Sequence, residues 1–355
     1  MNLSDFPHRR FNPLTGEWVL VSPHRTKRPW HGTVEPVVAP APIAYDPKCF
    51  LCPGNPRAGN EKNPAYETTF VFDNDFAAIL PDIPLETMDE QGLLVAAGEQ
   101  GRCRVVCHSP RHDLSLPLLT RQEILAIIDT WAGQYRELGS YEEINHVLIF
   151  ENRGELMGAT SPHPHSQIWA NGSIPTLPAR ETACQKDYAD RKKSCLLCDY
   201  VKLELRMQAR LIVQNDSFAA LVPFWALWPF EVIVVPKDHY ADIGGLPKKV
   251  KTDFADILSR LTIRFDNLFA SPFPYSMGIH QRPTNGGAHE EWHFHVHFFP
   301  PLLPSQTARK LMAGYELLAM PQRDVTPEDG ARKLRNCSEL HYSRVKVESK
   351  EEKQS

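Results

Sequence analysis

The sequence predicts an α+β fold made of a duplicated unit, each half a mainly antiparallel sheet with a long helix. Three features occur twice in the same order: a Cys-x-x-Cys pair, an apolar-striped helix and a histidine-rich strand. In the first half these features are Cys49 to Cys52, residues 120–138, and His163 to His165. In the second half they are Cys195 to Cys198, residues 254–268, and His293 to His297. We expect halves over residues 1–180 and 190–345, divided by polar sequence near 180–194, and a charged, disordered tail over 346–355.

The helix over residues 120–138 has the clearest local signals. Thr120 and Glu123 form a capping-box pattern, and an apolar stripe follows at helical spacing. The stripe consists of Ile124, Ile127, Ile128, Trp131, Tyr135 and Leu138. Residues 10–21 predict a turn followed by a strand, and residues 68–72, 76–80, 104–107 and 146–150 predict further strands.

Polar side chains alternate with other residues around His163. Because side chains two positions apart leave the same face of a strand, we expect His163, His165 and Gln167 to line one surface. Pro164 cannot donate to a sheet ladder, which predicts the edge of a strand or the approach to one. Two neutral imidazoles held there could bind a metal, transfer protons or attack phosphorus.

The last predicted strand also alternates. Its apolar members are expected to face the core and its three histidines the opposite side, which favours a ligand or metal role for the histidines. The two sets are Trp292, Phe294, Val296 and Phe298, and His293, His295 and His297.

Composition narrows the class of protein. The chain has 355 residues and a net charge of −4, so it lacks the basic footprint of a nucleic-acid binder. The N-terminal residues have no apolar core of signal-peptide type, and no run is long and apolar enough to span a bilayer, so we expect no membrane association. These features predict a cytoplasmic protein, in which Cys-x-x-Cys pairs are better explained as metal ligands than as disulfides.

The cysteine pairs and histidines suggest metal sites. Cys49 and Cys52 have the spacing of ligands in structural zinc sites. Two sets compete in the second half. Internal symmetry predicts Cys195, Cys198, His239 and His295, whereas Glu181, His280, His295 and His297 would suit iron or zinc. Since His295 belongs to both sets, we expect only one of them to bind a metal.

Several longer motifs occur in order between residues 8 and 335. They are residues 9–16, residues 25–30, Phe150-Glu151-Asn152, residues 162–170, residues 273–278 and Gly314-Tyr315-Glu316. With these motifs the chain resembles the galactose-1-phosphate uridylyltransferase family of the histidine-triad superfamily. The resemblance implies that each half is a histidine-triad-like unit. It also implies a ping-pong exchange in which UDP-glucose and galactose 1-phosphate give glucose 1-phosphate and UDP-galactose.

The resemblance also implies the catalytic residues. His165 would attack the α-phosphorus and carry the uridylyl group, because a neutral imidazole is nucleophilic at neutral pH. Gln167 would donate a hydrogen bond to the phosphoryl oxygens. The hydrolase branch of the superfamily usually has a histidine at that position, so the glutamine favours transfer to a sugar phosphate over transfer to water.

Ligands for metal and substrate follow from the same resemblance. A structural zinc would be bound by Cys49, Cys52, His112 and His163, and a second metal, iron or zinc, by Glu181, His280, His295 and His297. Substrate contacts would come from Arg25, Arg28, Asn74, Asp75, Asn152, Gly158, Ala159, Thr160, Lys310, Tyr315, Glu316 and Gln322. Some of these contacts would cross the interface of a homodimer.

The sequence departs from the family in three places. The second Cys-x-x-Cys pair is absent from its best-known members, Ile279 and Gln281-Arg282 replace the usual neighbours of His280, and Thr160-Ser161 replaces the usual Ser-Asn. Two other functions therefore stay open. One is a related nucleotidyltransferase or phosphorylase acting on another nucleotide sugar such as ADP-glucose. The other is a zinc-stabilised protein that binds nucleotides without turnover.

Overall fold

The computed structural model describes residues 6–27, 43–159, 161–301 and 312–344. Four sequence-based predictions lie outside these ranges. They concern Arg28, Thr160, Lys310 and the tail over residues 346–355.

The described residues form short strands and longer helices. The strands are β1 (His8–Asn12), β2 (Glu17–Val21), β3 (Phe70–Asp73), β4 (Thr87–Glu90), β5 (Leu94–Ala97), β6 (Gly101–Cys107), β7 (His146–Arg153), β8 (His165–Asn171), β9 (Leu211–Gln214), β10 (Phe218–Leu221), β11 (Val232–Pro236), β12 (Tyr275–His280), β13 (His295–Phe299) and β14 (Gln322–Arg323). The helices are α1 (Arg121–Leu138), α2 (Thr176–Lys192), α3 (Leu196–Met207), α4 (Lys248–Phe269), α5 (Tyr315–Leu318) and α6 (Pro327–Arg335).

One nine-stranded sheet runs through both halves of the sequence, in the order β3-β6-β8-β7-β12-β13-β11-β10-β9. Every neighbouring pair in it is antiparallel. The order β6-β8-β7 of the first half reappears in reverse as β12-β13-β11 in the second, and β7 pairs with β12 at the centre. The α+β class is thereby confirmed. A smaller sheet joins β1, β2 and β14, and β4 pairs with β5.

Helices α1 and α4 pack against each other and against the large sheet. Thr120 caps α1 as predicted, since its side chain accepts a hydrogen bond from the Glu123 backbone and the Glu123 side chain binds the Thr120 backbone. All six residues of the α1 stripe are buried. The stripe of α4 is buried from Phe254 to Phe265, whereas Leu268 is partly buried. No described helix has the length and apolar character to cross a membrane.

One predicted strand is wrong, and one stretch named only as a domain boundary is helical. Residues 76–80 do not form a strand: the chain turns at Asp75 and Phe76, and Leu80 makes only an isolated bridge with Gln100. Phe76 is 84% exposed. The Asn74 side chain accepts a hydrogen bond from the Phe76 backbone, a local bond that competes with strand pairing. Residues around 180–194, read as a polar boundary, lie largely in α2, a helix whose few buried positions are mostly polar.

A buried ion pair joins β7 to α4. The Arg153 guanidinium donates to both carboxylate oxygens of Asp266 at 2.6 and 2.9 Å, and the Phe273 backbone donates to the same carboxylate at 2.8 Å. The Asp266 side chain is only 2% exposed. Burial alone would raise the pKa of Asp266, but Arg153 and His341 lower it below its usual value.

Asp266→Asn should destabilise the fold by about 3–5 kcal/mol, because it leaves the Arg153 charge buried without its partner. Asp187→Asn is the matched control, since Asp187 pairs with Arg191 on the exposed face of α2. The control should change the free energy of unfolding by less than about 0.5 kcal/mol in urea titrations. Because the folded pKa of Asp266 is lowered, its contribution should be complete above about pH 4 and decline in more acidic solution. Equal effects of the two variants would contradict this assignment.

Candidate active site and metal-ligand groups

Strand β8 presents one face to the core and the other to an open surface. Ser166, Ile168 and Ala170 are fully buried, while His165 and Gln167 are only partly buried on the opposite face. The Trp131 indole of α1 donates to the Ser166 hydroxyl at 2.8 Å, which anchors the core face beside His165. The predicted alternation therefore holds from His165 onward.

His163 lies apart from this open surface, contrary to the prediction. The strand begins only at His165, so the two-residue alternation does not extend back through Pro164. His163 is fully buried, and its ring faces Cys52. Pro164 lies just before the strand, and its carbonyl accepts a hydrogen bond from the backbone N–H of His108.

The orientation of the His165 ring is set by a local hydrogen bond. Its Nδ1 lies 2.8 Å from the His163 carbonyl, so Nδ1 carries the proton and donates it. Burial lowers the pKa of His165, although this hydrogen bond opposes the shift. The ring is therefore neutral near pH 7 and keeps a lone pair on Nε2.

The Gln167 side chain is also oriented. Its Oε1 accepts a hydrogen bond from the Trp169 indole at 3.2 Å. Trp169 lies two residues further along the same face of β8, where side chains are neighbours. With the oxygen engaged, the amide NH2 group is the end that can donate to a bound anion.

The first half contains a group of four buried metal-ligand side chains, Cys49, Cys52, His112 and His163. Their donor atoms lie within 4.8 Å of one another. The Cys52 sulfur is 3.5 Å from Nδ1 of both His112 and His163. A tetrahedral zinc ion with ordinary bond lengths separates sulfur from nitrogen by about 3.5–3.6 Å. The donor types and spacing therefore fit zinc.

Polar residues that the sequence analysis did not single out support this group. The Asn55 amide donates to the Cys49 carbonyl at 2.7 Å, and the Asn63 amide donates to the Cys52 carbonyl at 3.0 Å. The Tyr66 hydroxyl donates to the Leu51 carbonyl at 2.6 Å. Isolated polar residues in irregular backbone have no spacing that would reveal such roles.

A second group brings together Glu181, His280, His295 and His297, all buried. The Glu181 carboxylate lies 2.8 Å from His280 Nδ1, 3.6 Å from His295 Nε2 and 3.7 Å from His297 Nε2. Neither His295 Nε2 nor either ring nitrogen of His297 has a hydrogen-bond partner among the described residues. Unpaired buried imidazole nitrogens around a carboxylate fit a bound cation.

A third group consists of Cys195, Cys198, His239 and His293. The expectation that His295 would be its fourth member is wrong, because residue 293 precedes β13 and its ring turns toward the two thiols. The prediction that two second-half sets compete for one histidine is therefore also wrong. Trp292 is buried as expected, but it donates to Thr182 of α2 and stacks on His295 instead of joining the main core.

Several predicted substrate residues meet in a cavity beside the small sheet. The cavity has a volume of about 490 Å³ and is lined by Leu20, Ser22, Arg25, Ala313, Tyr315, Glu316 and Gln322. Arg25 pairs with Asp324 at 3.2 Å, and Glu316 pairs with Arg323 at 2.5 Å. Neither His165 nor Gln167 lines this cavity.

The remaining predicted substrate residues lie on or beside the large sheet. Asn152 is in β7, opposite Ser276, whose hydroxyl donates to it at 2.7 Å. Asp75 pairs with Arg57 at 3.4 Å, next to the turn at Asn74. Gly158 ends a short turn with a left-handed backbone, φ 77°, and the Ala159 backbone donates to the Gly154 carbonyl.

Comparison with known proteins identifies the class. Residues 1–175 match the family model of the galactose-1-phosphate uridyl transferase N-terminal domain, and residues 181–346 match that of the C-terminal domain. The chain thus has the two-domain architecture of a nucleotidyl-group transferase and belongs to the galactose-1-phosphate uridylyltransferase family.

Individual relatives agree with this assignment. The galactose-1-phosphate uridylyltransferase of Haemophilus influenzae is 48% identical over 339 residues, which cover 96% of this chain and 97% of the relative. A solved uridylyltransferase structure superposes with a TM-score of 0.73 at 27% identity, covering 92% of this chain and 97% of that one. An ADP-glucose phosphorylase from Arabidopsis thaliana shares the fold, with a TM-score of 0.74, 24% identity, and coverage of 94% and 99%.

Glu181→Gln should remove one bound metal equivalent per chain, because the amide keeps the shape of the carboxylate but lacks the charge that holds a cation among three histidines. Asp187→Asn is the matched control, because Asp187 lies six residues further along α2 and is exposed. Elemental analysis of both purified proteins measures the difference. Unchanged metal content in Glu181→Gln would show that this group binds no ion.

Proposed function

We propose that the chain exchanges a uridylyl group between UDP-glucose and galactose 1-phosphate through a covalent uridylyl-histidine at His165. Membership in the family makes the chain a uridylyltransferase. The observation that carries the proposed mechanism is the ring of His165, which lies on the open face of β8 with Nδ1 bound to the His163 carbonyl and Nε2 left with its lone pair.

Two displacements at phosphorus make up the proposed reaction. In the first, His165 Nε2 forms a bond to the α-phosphorus of UDP-glucose while the bond to glucose 1-phosphate breaks. In the second, a phosphate oxygen of galactose 1-phosphate forms the new bond, the phosphorus–nitrogen bond breaks, and UDP-galactose leaves. Neither leaving group needs a proton. Glucose 1-phosphate departs as a stable anion in the first step, and the imidazole departs neutral in the second because Nδ1 keeps its proton. The site therefore needs a hydrogen-bond donor to the phosphoryl oxygens and does not need a proton donor for the leaving group.

Gln167 meets that need. With Oε1 engaged by Trp169, its NH2 group can donate to the oxygens whose negative charge grows in the transition state. An amide does not ionise, so it cannot deprotonate a water molecule. This property supports transfer to a sugar phosphate over hydrolysis.

The residues around the cavity extend the proposal to the sugar end. Arg25, Tyr315, Glu316 and Gln322 line one cavity, which supports recognition of a hexose phosphate by charge and hydrogen bonds. Arg28, Lys310 and Thr160 are proposed to join the phosphate and sugar contacts, and Asn74, Asp75, Asn152, Gly158 and Ala159 the nucleotide contacts. Since this cavity does not include His165, we propose a homodimer in which one protomer's cavity completes its partner's site.

The metal groups would have supporting roles. We propose zinc for Cys49, Cys52, His112 and His163, since two thiolates and two imidazoles make a closed structural site. We propose iron or zinc for Glu181, His280, His295 and His297. The first ion would hold the backbone at His163, and hence the carbonyl that orients His165. The half at 1–180 would supply all of the first group. The half at 190–345 would supply the three histidines of the second group, and Glu181 would come from the segment between the halves. The free thiols support a cytoplasmic location.

Intact mass after incubation with UDP-glucose should show a uridylyl-sized adduct that galactose 1-phosphate then discharges. His165→Ala should form no adduct, because it lacks the nucleophile. Labelling by ADP-glucose but not by UDP-glucose would instead support an ADP-glucose phosphorylase activity, the one named for the Arabidopsis thaliana relative. No labelling by either nucleotide sugar would refute transfer through the protein and favour binding without turnover.

Gln167→Ala should form the same adduct, but more slowly by a factor of about 10²–10³, the usual effect of removing one donor to a developing oxyanion. Gln122→Ala on the exposed surface of α1 serves as the control and should keep the wild-type rate. Rapid-quench measurement of adduct formation separates this step from product release. A Gln167→Ala rate equal to that of the control would remove Gln167 from the mechanism.

A further inference from the structure

The thiols Cys195 and Cys198 lie at the start of α3, against two histidines from separate loops. Both sulfur atoms are 3.4 Å from His293 Nδ1, and the Cys198 sulfur is 3.7 Å from His239 Nδ1. These separations bracket the sulfur-to-nitrogen distance of about 3.5–3.6 Å around a tetrahedral zinc ion. All four donor atoms lie within 4.8 Å of one another.

The histidine two residues before the start of β8 and the one two residues before the start of β13 have the same surroundings. His163 and His293 each direct Nδ1 toward the thiols. Nε2 lies 2.9 Å from the Ser109 carbonyl in the first case and 3.1 Å from the Pro236 carbonyl in the second. A carbonyl at the far ring nitrogen fixes the tautomer that leaves Nδ1 free for a metal.

The second histidine of each group also matches. The rings of His112 and His163 stand edge to face with centroids 5.4 Å apart, and those of His239 and His293 do so at 5.2 Å. His112 follows β6, and His239 follows β11, the strand that occupies the equivalent position in the second half of the sheet.

The third group shares no residue with the Glu181 group. His293 turns to the thiols, whereas His295 and His297 turn to Glu181. The two ions can therefore be bound at the same time. The third group is also nearer to solvent, since His239 is exposed and both cysteines are partly exposed, while the first group is fully buried.

We infer that Cys195, Cys198, His239 and His293 bind a structural zinc ion, in addition to the ions of the first-half and Glu181 groups. Two thiolates and two imidazoles complete four-coordination, leaving no open position for substrate. The ion fastens the start of α3 to the loops after β11 and before β13. This site is independent of the proposed transfer reaction.

Cobalt exchange of the full-length protein tests this inference, because thiolate-to-cobalt charge transfer reports sulfur-bound metal only. Cys52→Ser removes a ligand of the first group, and Cys198→Ser removes one of the third. Each variant should retain about half of the wild-type absorption. Cys337→Ser is the matched control, because Cys337 belongs to none of the groups, and it should retain all of it.

His239→Ala provides a variant that leaves the core untouched, because the side chain is exposed. A chelator should remove cobalt from the third group of this variant much faster than from that of wild type, which is measured as a faster loss of charge-transfer absorption. The variant should still form the uridylyl adduct. Three results would overturn the inference: complete loss of absorption in Cys52→Ser, wild-type absorption in both Cys198→Ser and His239→Ala, or a Cys195–Cys198 disulfide in the metal-loaded protein.

Discussion

The hydrogen bond from His165 to the His163 carbonyl links the folded framework to the proposed chemistry, because it orients the ring of the proposed nucleophile. It is a short-range contact between residues two apart, yet its geometry depends on distant parts of the chain. The ring of His163 is held by Cys52 and by the Ser109 carbonyl, so the backbone that accepts the bond is fixed from both sides. A histidine on a free strand would sample both tautomers. Here the framework selects the one with a lone pair on Nε2.

Duplication explains why the two halves carry similar side chains at equivalent positions of the sheet. At the centre of the sheet Phe150 pairs with Gly278, while Gln167 lies opposite Phe150 and His297 lies opposite Gly278. By this register His295 and His297 occupy the second-half positions of His165 and Gln167.

The difference between these equivalent positions is one of burial. His165 and Gln167 stay partly open, whereas His295 and His297 are buried beneath α2, which contributes Glu181. Burial lowers the pKa of His297 to about 3, so its ring stays neutral. The second copy therefore has a closed group of side chains that could bind a metal, at the positions where the first copy has the proposed catalytic residues.

Local patterns in the sequence predicted much of this arrangement. The capping box and stripe of α1 gave its bounds, because both signals lie within the helix itself. The alternation of β8 gave the face that carries His165 and Gln167. Resemblance to the family, not spacing, linked His112 and His163 to the cysteine pair. The turn at Asn74 and the helix α2 were missed because short side-chain bonds and a mostly polar buried face leave no periodic signal. His293 was missed because the alternation was extended beyond the start of β13.

The position of the phosphorus–nitrogen bond tests the central claim most directly. The uridylyl-enzyme can be formed from UDP-glucose on protein labelled with ¹⁵N in its histidine rings and studied by NMR. The account predicts coupling of ³¹P to Nε2 of His165, with a proton retained on Nδ1. Coupling to Nδ1, or to a different histidine, would contradict the role assigned to the His163 carbonyl.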